Sequence, residues 1–252
     1  MKQSDWYKYN WTLDIKNESW TEDTENQVCF IIKTLELTGK ERILDLACGY
    51  GRHSLEFARQ GFSVTGVDIT EAYIDDAKRC AKELSVDALF IQSDIRDIAF
   101  REEFDVVLNL ADGAIGYLED DKENLKIFDI VSTALKPGGK HFMDVCNREY
   151  AERNFPKTNW EVGESSLALA QFEWDSEACR MKYAGYAAPY GEIFQKPQIN
   201  MDDADPIRLY SIFELEKILN RRSMRIISTF SNYYGNAATD REIQLMVYSV
   251  KQ

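Results

Sequence analysis

The sequence predicts an α/β fold built on a doubly wound, mainly parallel sheet, because short apolar runs alternate with helical patterns along its first 150 residues. The clearest runs of strand length are Ile43 to Ala47, Ser63 to Val67 and Ala88 to Gln92. After each of the first two runs, apolar residues recur at intervals of three and four, the spacing of one helix face. Short apolar strands between helices fit a sheet that is covered on both faces and joined by right-handed crossovers.

The same alternation predicts the remaining elements in chain order. A helix is expected over Asn26 to Leu37, ahead of the first strand. A fourth strand, a helix and a fifth strand are expected over Phe104 to Leu110, Leu125 to Leu135 and Lys140 to Val145. Late in the chain, we expect a helix over residues 211–219 and two strands over 225–230 and 244–250.

Beyond Asn147 the helical period is lost, and proline, glycine and tryptophan are scattered along the chain. Leu167 to Trp174 and Met181 to Ala187 flank the polar stretch 175–178, a pattern that predicts an antiparallel hairpin. We therefore expect four regions. They are an N-terminal lid segment and helix (1–39), a ligand-binding core (40–147), a β-rich cap insertion (148–205) and the C-terminal part of the core (206–252).

Composition argues against several classes of function. The 43 acidic and 30 basic residues give a net charge of −13, which repels nucleic acid because the basic residues form no compensating patch. No apolar run approaches the roughly 20 residues that span a bilayer, so we expect a cytoplasmic protein without a membrane partner. The five cysteines are widely spaced and lack a C-x-x-C pair, which disfavours disulfides and a bound metal.

The most informative segment is the turn after the first predicted strand, which runs Asp45-Leu46-Ala47-Cys48-Gly49-Tyr50-Gly51. Gly49 and Gly51 remove side chains where the backbone must pass close to a ligand, and the next helix offers free N–H groups to an anion. A lone Gly-x-Gly is a weak signal. It gains weight because Asp68 ends the second strand 19 residues after Gly49, where a carboxylate can accept from both hydroxyls of a ribose.

Three details favour S-adenosylmethionine (SAM) over a dinucleotide. Asp45 lies inside the strand, where it can orient the loop or meet an ammonium group. Ser54 stands where a dinucleotide motif requires a third glycine, so packing against a pyrophosphate would be compromised. Asp94 follows the third strand and can accept from an adenine amine. The residues expected to bind the cofactor are Asp45, Ala47, Cys48, Gly49, Gly51, Asp68, Ile69, Asp94, Ile95 and Leu110.

This pattern resembles motif I of the class I, Rossmann-like SAM-dependent methyltransferases, followed by their ribose acid, adenine acid and Leu-Lys-Pro-Gly-Gly turn at residues 135–139. Residues 116–120, 144–149 and 208–211 are similar to a subgroup of bacterial small-molecule methyltransferases. The resemblance covers most of the chain and is strongest over residues 41–149. It departs at Ala114-Ile115, where relatives often carry a polar or aromatic pair.

The resemblance implies a Rossmann-like, seven-stranded sheet whose last strand, within residues 242–250, is antiparallel. It also implies that the N-terminal segment closes over SAM, and aromatic faces there would suit a sulfonium cation. The same segment could instead simply cover an edge of the sheet. Its aromatic residues are Trp6, Tyr7, Tyr9, Trp11 and Trp20.

We therefore expect a methyltransferase (EC 2.1.1.-) that transfers the methyl group of SAM to nitrogen or oxygen of a small molecule, as a monomer or homodimer. Methyl transfer is an in-line displacement, so alignment can supply up to about 7–11 kcal/mol, and a general base is needed only for a protonated acceptor. We assign no catalytic residue. The candidates for the substrate side are Tyr9, Tyr117, Asn147, Arg148, Arg208 and Tyr210.

Three alternatives remain open. A non-catalytic SAM-binding regulatory module would share the whole cofactor motif. An NAD-dependent oxidoreductase is disfavoured by Ser54 and by the lack of a Tyr-x-x-x-Lys set. A nucleic-acid methyltransferase is disfavoured by the net charge and by the sequence Leu108-Asn109-Leu110-Ala111-Asp112, which stands where an Asn-Pro-Pro-Tyr or Pro-Cys motif would be expected.

Overall fold

A seven-stranded sheet runs through the computed structural model, which describes residues 5–18, 21–163, 166–194 and 200–252. Its strands are β1 (Arg42–Leu46), β2 (Ser63–Asp68), β3 (Ala88–Gln92), β4 (Phe104–Asn109), β5 (Leu135–Cys146), β10 (Met224–Phe230) and β11 (Gln244–Lys251). Their order is β10-β11-β5-β4-β1-β2-β3. The first five strands are parallel, and β11 is antiparallel to both neighbours. The predicted fold class is confirmed.

Helices cover both faces of this sheet, as the apolar strands require. They are α1 (Thr24–Thr34), α2 (Arg52–Arg59), α3 (Glu71–Leu84), α4 (Asp121–Ala134), α5 (Arg148–Asn154) and α6 (Ile212–Asn220). Two neighbouring residues of β1 face the helices on opposite sides of the sheet. Ile43 belongs to a buried cluster with residues of α1 and α2, whereas Leu44 belongs to one with residues of α4 and α6. None of these helices in the described ranges is long and apolar enough to cross a membrane.

The element boundaries agree closely with the sequence-based expectations, with one informative difference. β5 begins at Leu135, five residues before the expected Lys140. Leu135 pairs with Phe104, and the register then shifts before Val106 pairs with Lys140. The Pro137-Gly138-Gly139 turn therefore lies inside the irregular start of the strand rather than ahead of it.

The cap is a second, four-stranded antiparallel sheet. It contains β6 (Lys157–Val162), β7 (Ser166–Asp175), β8 (Arg180–Pro189) and β9 (Asp205–Arg208), in that order. The hairpin of β7 and β8 is the predicted one, whereas α5, β6 and β9 were not expected. The expected division between residues 205 and 206 falls within β9, which pairs with β8.

The start of α2 is a position that only glycine fits without strain. Gly51 has φ +79°, in the left-handed region, and a Cβ atom there would lie 2.8 Å from Cε1 of Phe90 and 3.1 Å from Cβ of Ala77. The sequence reasoning gave Gly51 and Gly49 the same purpose, the close approach of a ligand. The structure adds a packing requirement at Gly51, because its missing side chain would point toward β3 and α3.

We expect Gly51→Ala to lower the free energy of unfolding by about 2–4 kcal/mol, from left-handed backbone strain of roughly 1–2 kcal/mol and overpacking of roughly 1–3 kcal/mol. Gly61→Ala is the matched control, because Gly61 has φ +95° and a Cβ atom there would meet nothing within 4 Å. Urea denaturation would measure both. Equal losses in the two variants would show that Phe90 does not constrain this turn.

Candidate ligand-binding site at the carboxyl edge of the sheet

The carboxyl ends of the first four strands lie side by side, and the loops after them carry the side chains predicted to bind a ligand. Leu46 pairs with Val67, and Val67 pairs with Ile91, so the loops after β1, β2 and β3 begin at one level of the sheet. This edge is therefore the candidate site.

The loop after β1 presents backbone rather than side chains to this edge. Ala47 and Gly49 have φ values of +55° and +57°. The N–H of Cys48 donates to the carbonyl oxygen of Val67 at 3.0 Å, which fixes the loop against β2. A Cβ atom on Gly49 would meet nothing nearer than the Tyr73 ring at 3.9 Å, so this glycine borders open space.

Asp68 joins the first two loops. Its Oδ2 accepts from the N–H of Gly49 at 2.9 Å, and its Oδ1 accepts from the N–H of Thr70 at 2.8 Å. Burial raises the pKa of this carboxyl above its usual range, and the backbone donors oppose the shift. Each carboxylate oxygen can accept a further hydrogen bond. Asp68 is therefore a fixed acceptor that can also serve a ligand hydroxyl.

Asp45 lies deeper, inside β1, and fastens α2 to the strand. Ser54, which stands in place of a third glycine, donates from Oγ to Oδ2 of Asp45 at 2.6 Å. Burial raises the pKa of Asp45 to about 7, although the Ser54 hydrogen bond opposes the shift. Near neutral pH this carboxyl is therefore divided between its protonated and ionised forms.

Asp94, after β3, is held by Arg96. Its Oδ1 accepts from the backbone N–H of Arg96 at 2.9 Å, and its Oδ2 accepts from the guanidinium at 2.6 Å. Burial opposes ionisation of Asp94, but the hydrogen bonds from Arg96 outweigh it and lower the pKa. Of the other predicted cofactor residues here, Ile95 and Leu110 are buried and Ile69 is half-buried.

The N-terminal segment 5–18 contacts the loops that follow β1, β3 and β4, and the helix α3 that follows β2. The Tyr7 hydroxyl donates to Glu119 at 2.8 Å and accepts from Arg96 at 2.9 Å. The Tyr73 hydroxyl donates to the carbonyl oxygen of Thr12 at 2.9 Å. Lys16 lies over the ring of Tyr50, 5.0 Å from its centroid. The segment therefore lies against the carboxyl edge, while Trp20 falls outside the described residues.

The six substrate-side candidates do not form a single group, and three of them lie apart from one another. Tyr117 lies at the edge, with its ring centroid 5.2 Å from that of Trp6 and 6.0 Å from that of Trp11. Tyr9 is 65% exposed. Asn147 is buried, where its amide donates to the carbonyl oxygen of Thr239 at 2.8 Å and its Oδ1 caps α5.

The other three candidates belong to an ion-pair group that joins α5, β9 and α6. Arg148 and Arg208 donate to the two carboxylate oxygens of Glu214 at 2.8 and 2.7 Å. The Arg208 guanidinium also lies over the Tyr210 ring, 4.5 Å from its centroid. These contacts give all three side chains a packing role in the described structure.

Two residues that sequence reasoning missed stand near the carboxyl ends of β4 and β5, Asp112 in the loop after β4 and Asp144 among the last residues of β5. Asp112 accepts from the Tyr117 hydroxyl at 2.9 Å and from the N–H of Cys146 at 3.1 Å. Asp144 accepts from the Tyr233 hydroxyl and from the Gln244 amide, both at 2.9 Å. The positions of both aspartates near the carboxyl ends of strands could have marked them as candidate site residues. Nothing in the sequence places Tyr233 beside them.

The site is rich in carboxylates. Asp45, Asp68 and Asp144 are buried and Asp112 is half-buried. Burial raises the pKa of Asp144 to about 7. The Tyr233 hydrogen bond opposes the shift and the charge of Asp112 adds to it.

Arg52, at the start of α2, donates to Thr24 at 2.9 Å and to Gln27 at 2.7 Å and supplies a positive charge beside these acids. This balance of charge suits a ligand that carries positive groups.

The sequence is similar to those of known methyltransferases. Residues 43–139 match a family described as a methyltransferase domain. A Bacillus subtilis (strain 168) protein, YqeM, is described as a methyltransferase and is 28% identical over 211 residues, which cover 81% of this chain and 83% of that protein.

Solved structures show the same fold. A SAM-dependent methyltransferase from Clostridium acetobutylicum ATCC 824 superimposes with a TM-score of 0.76 at 17% identity, over 95% of this chain and 96% of that one. The 1,6-didemethyltoxoflavin-N1-methyltransferase of Burkholderia thailandensis, solved with 1,6-didemethyltoxoflavin and S-adenosylhomocysteine (SAH), gives 0.57 at 15% identity, over 92% and 80% of the two chains.

The raised pKa of Asp45 predicts a pH-dependent effect on stability. Between its ordinary value of 3.8 and about 7, the folded protein binds a proton that the unfolded chain has lost, so stability from this group falls as pH rises. Asp45→Asn keeps an acceptor for Ser54 but does not titrate. Its free energy of unfolding relative to wild type should rise with pH across this window, by up to about 1.4 kcal/mol per unit, and then level off.

Urea denaturation at several pH values would measure this difference. Asp75→Asn, at an exposed position of α3, is the control and should show no such trend. A difference between Asp45→Asn and wild type that stays constant across the window would contradict the assigned pKa.

Proposed function

We propose that the chain carries a SAM-dependent methyltransferase domain of the class I, Rossmann-like type and transfers the methyl group of SAM to nitrogen or oxygen of a small-molecule acceptor. The observation that carries the proposal is the alignment of Gly49, Asp68 and Asp94 on adjacent loops at one edge of the sheet.

The residues at this edge fit the chemical groups of SAM. Asp68 would accept from the ribose hydroxyls, and Asp94 from the adenine amine, beside the apolar Ile69 and Ile95. Gly49 leaves its loop open to the ligand, and Arg52 would pair with the carboxylate of the methionine part. Bound SAM supplies an electrophilic methyl group on a sulfonium sulfur. What the protein adds is alignment and the exclusion of water.

A small acceptor is supported by the enclosure of the edge. Trp6 and Tyr7 of the segment 5–18 are buried against the loops, which leaves little room for a macromolecular substrate at this point. The net charge of −13 also disfavours a nucleic-acid acceptor. We further propose a cytoplasmic protein that acts as a monomer or homodimer.

The segment 5–18 would act as a lid. It is anchored by the Tyr7 hydroxyl and by the hydrogen bond from Tyr73 to Thr12, so a ligand would enter after these contacts open. Opening would have to break both its polar contacts, which include the Lys16–Asp76 ion pair, and the packing of Trp6 and Tyr7 in the main hydrophobic cluster.

The decisive experiment is an acceptor screen of a metabolite extract with SAM that carries a labelled methyl group, followed by mass spectrometry. Labelled products would establish turnover. A protein that binds SAM but labels nothing would instead fit the non-catalytic regulatory module.

We expect Asp68→Ala to weaken binding of both SAM and SAH by at least about tenfold, because one charge-assisted hydrogen bond contributes about 1.5–3 kcal/mol. Asp68→Asn keeps the shape and part of the hydrogen bonding, so its affinity should fall between those of wild type and Asp68→Ala. Isothermal titration would measure all three proteins, with thermal melting to confirm that they are folded. Affinities of Asp68→Ala within about twofold of wild type would place the ribose elsewhere.

We expect Tyr7→Phe to speed the dissociation of SAM by several fold, up to about tenfold, because it removes two hydrogen bonds to charged groups while keeping the buried ring. Stopped-flow fluorescence would measure the rate. Tyr190→Phe removes a hydroxyl bonded to Gly163 in the cap and should leave the rate unchanged. If Tyr7→Phe also leaves it unchanged, the segment only covers the edge of the sheet.

A further inference from the structure

Asp112 and Asp144 form a pair beside the proposed SAM pocket that the cofactor contacts leave unused. They stand near the carboxyl ends of β4 and β5, and β4 is the direct neighbour of β1 with its glycine loop. The N–H of Asp112 donates to the carbonyl oxygen of Asp144 at 2.8 Å, which ties the two positions together. An acceptor molecule placed next to the cofactor would meet this pair.

The hydrogen bonds around the pair leave one oxygen available. Both oxygens of Asp112 accept from described residues, Oδ1 from the N–H of Cys146 and Oδ2 from the Tyr117 hydroxyl. At Asp144, Tyr233 and Gln244 both donate to Oδ2. Within the described ranges, Oδ1 of Asp144 receives no hydrogen bond, although the residue is only 8% exposed. This oxygen is not among the fully enclosed unpaired side-chain atoms of the described residues, so a ligand can reach it and donate to it.

The charged and titratable groups around Asp144 favour a cation there. Asp112 faces it from the loop after β4, Tyr233 from the loop before β11, and Cys146 from its own strand. The positive charge of Arg52 on α2 opposes this, and Arg52 already donates to Thr24 and Gln27. An incoming ammonium group would therefore be attracted, and an incoming anion repelled.

We propose that the acceptor is an amine that binds as its ammonium ion, and that Oδ1 of Asp144 takes the proton that must leave before the nitrogen can attack. This inference rests on the proposed function. Asp112 is a positioning residue in this scheme, because it holds Tyr117 and adds negative charge without touching the amine.

The step balances in atoms and charge. The ammonium proton moves to Asp144, which becomes a neutral carboxylic acid, and the nitrogen recovers its lone pair. The nitrogen then forms a bond to the methyl carbon while the carbon–sulfur bond breaks and its electron pair stays on sulfur. The product leaves as a methylated ammonium ion, and Asp144 returns its proton to water.

Proton affinities favour an amine over a hydroxyl acceptor. The pKa of Asp144, about 7, lies a few units below that of an alkylamine at about 10, but far below that of an aliphatic hydroxyl, which is nearly as weak an acid as water. A phenol has a pKa near that of an amine. It would, however, become an anion beside two carboxylates, whereas an ammonium ion enters with the opposite charge.

The test compares benzylamine with its isostere benzyl alcohol, both titrated calorimetrically into SAH-saturated protein near pH 7. We expect wild type to bind the amine at least about tenfold more tightly and to release protons on binding, because a bound cation lowers the pKa of Asp144. Asp144→Asn should lose the preference and the proton release, whereas Asp75→Asn should keep both. Asp75→Asn should also bind SAM within about twofold of wild type.

Equal affinity for the two probes, failure of wild type to bind benzylamine, or a preference that survives Asp144→Asn would each overturn the proposal. Should Asp144→Asn fail to fold, Tyr233→Phe serves instead. Loss of the Tyr233 donor should raise the pKa of Asp144 and move proton release to higher pH. If wild type binds neither SAM nor SAH, it is the proposed function that fails.

Discussion

The hydrogen bond from the N–H of Gly49 to the Asp68 carboxylate is the contact on which the rest of the site depends. It fixes the loop after β1 to the end of β2, and the hydrogen bond between Ser54 and Asp45 fixes the same loop from the helix side. With the loop held at both ends, α2 starts where Arg52 can reach the acidic end of the sheet. Neither bond is strong alone, but each joins groups that are otherwise costly to bury.

Most of the fold could be predicted because its parallel strands are short apolar runs that helices must cover. β3 has the predicted bounds, and β1, β2 and β4 differ from theirs by a residue or so. The cap was predicted only as a hairpin. β6 is an exposed edge strand with polar and charged residues, and β9 has only four residues, one of them a proline. Elements stabilised mainly by pairing with a neighbouring strand leave little periodicity in the sequence.

The two sides of the candidate site also differed in how far the sequence could predict them. The glycines and acids proposed to hold SAM follow consecutive strands, so their spacing along the chain already implies proximity. The proposed acceptor side combines Asp112, Asp144 and Tyr233, which only the completed sheet brings together. The polar residues Arg148 and Arg208 were conspicuous in sequence, yet Glu214 satisfies both of them. The sequence shows which side chains could bind or react with a ligand, but not which of them already form hydrogen bonds or ion pairs within the protein.

Arg96 connects the segment 5–18, the proposed lid, with Asp94, the proposed acceptor for the adenine amine. One guanidinium holds the carboxylate of Asp94 and the hydroxyl of Tyr7, and it also pairs with Glu119 and Glu123. A ligand that accepts a hydrogen bond from, or donates one to, the Asp94–Arg96 pair therefore changes the electrostatic environment of the Tyr7 hydroxyl, which holds the segment 5–18 in place. If Asp94 binds the adenine as proposed, thermodynamic reciprocity requires that docking of this segment change the affinity for the adenine by the same factor. Ligand binding at Asp94 and docking of the segment 5–18 would therefore both depend on the charges around Arg96.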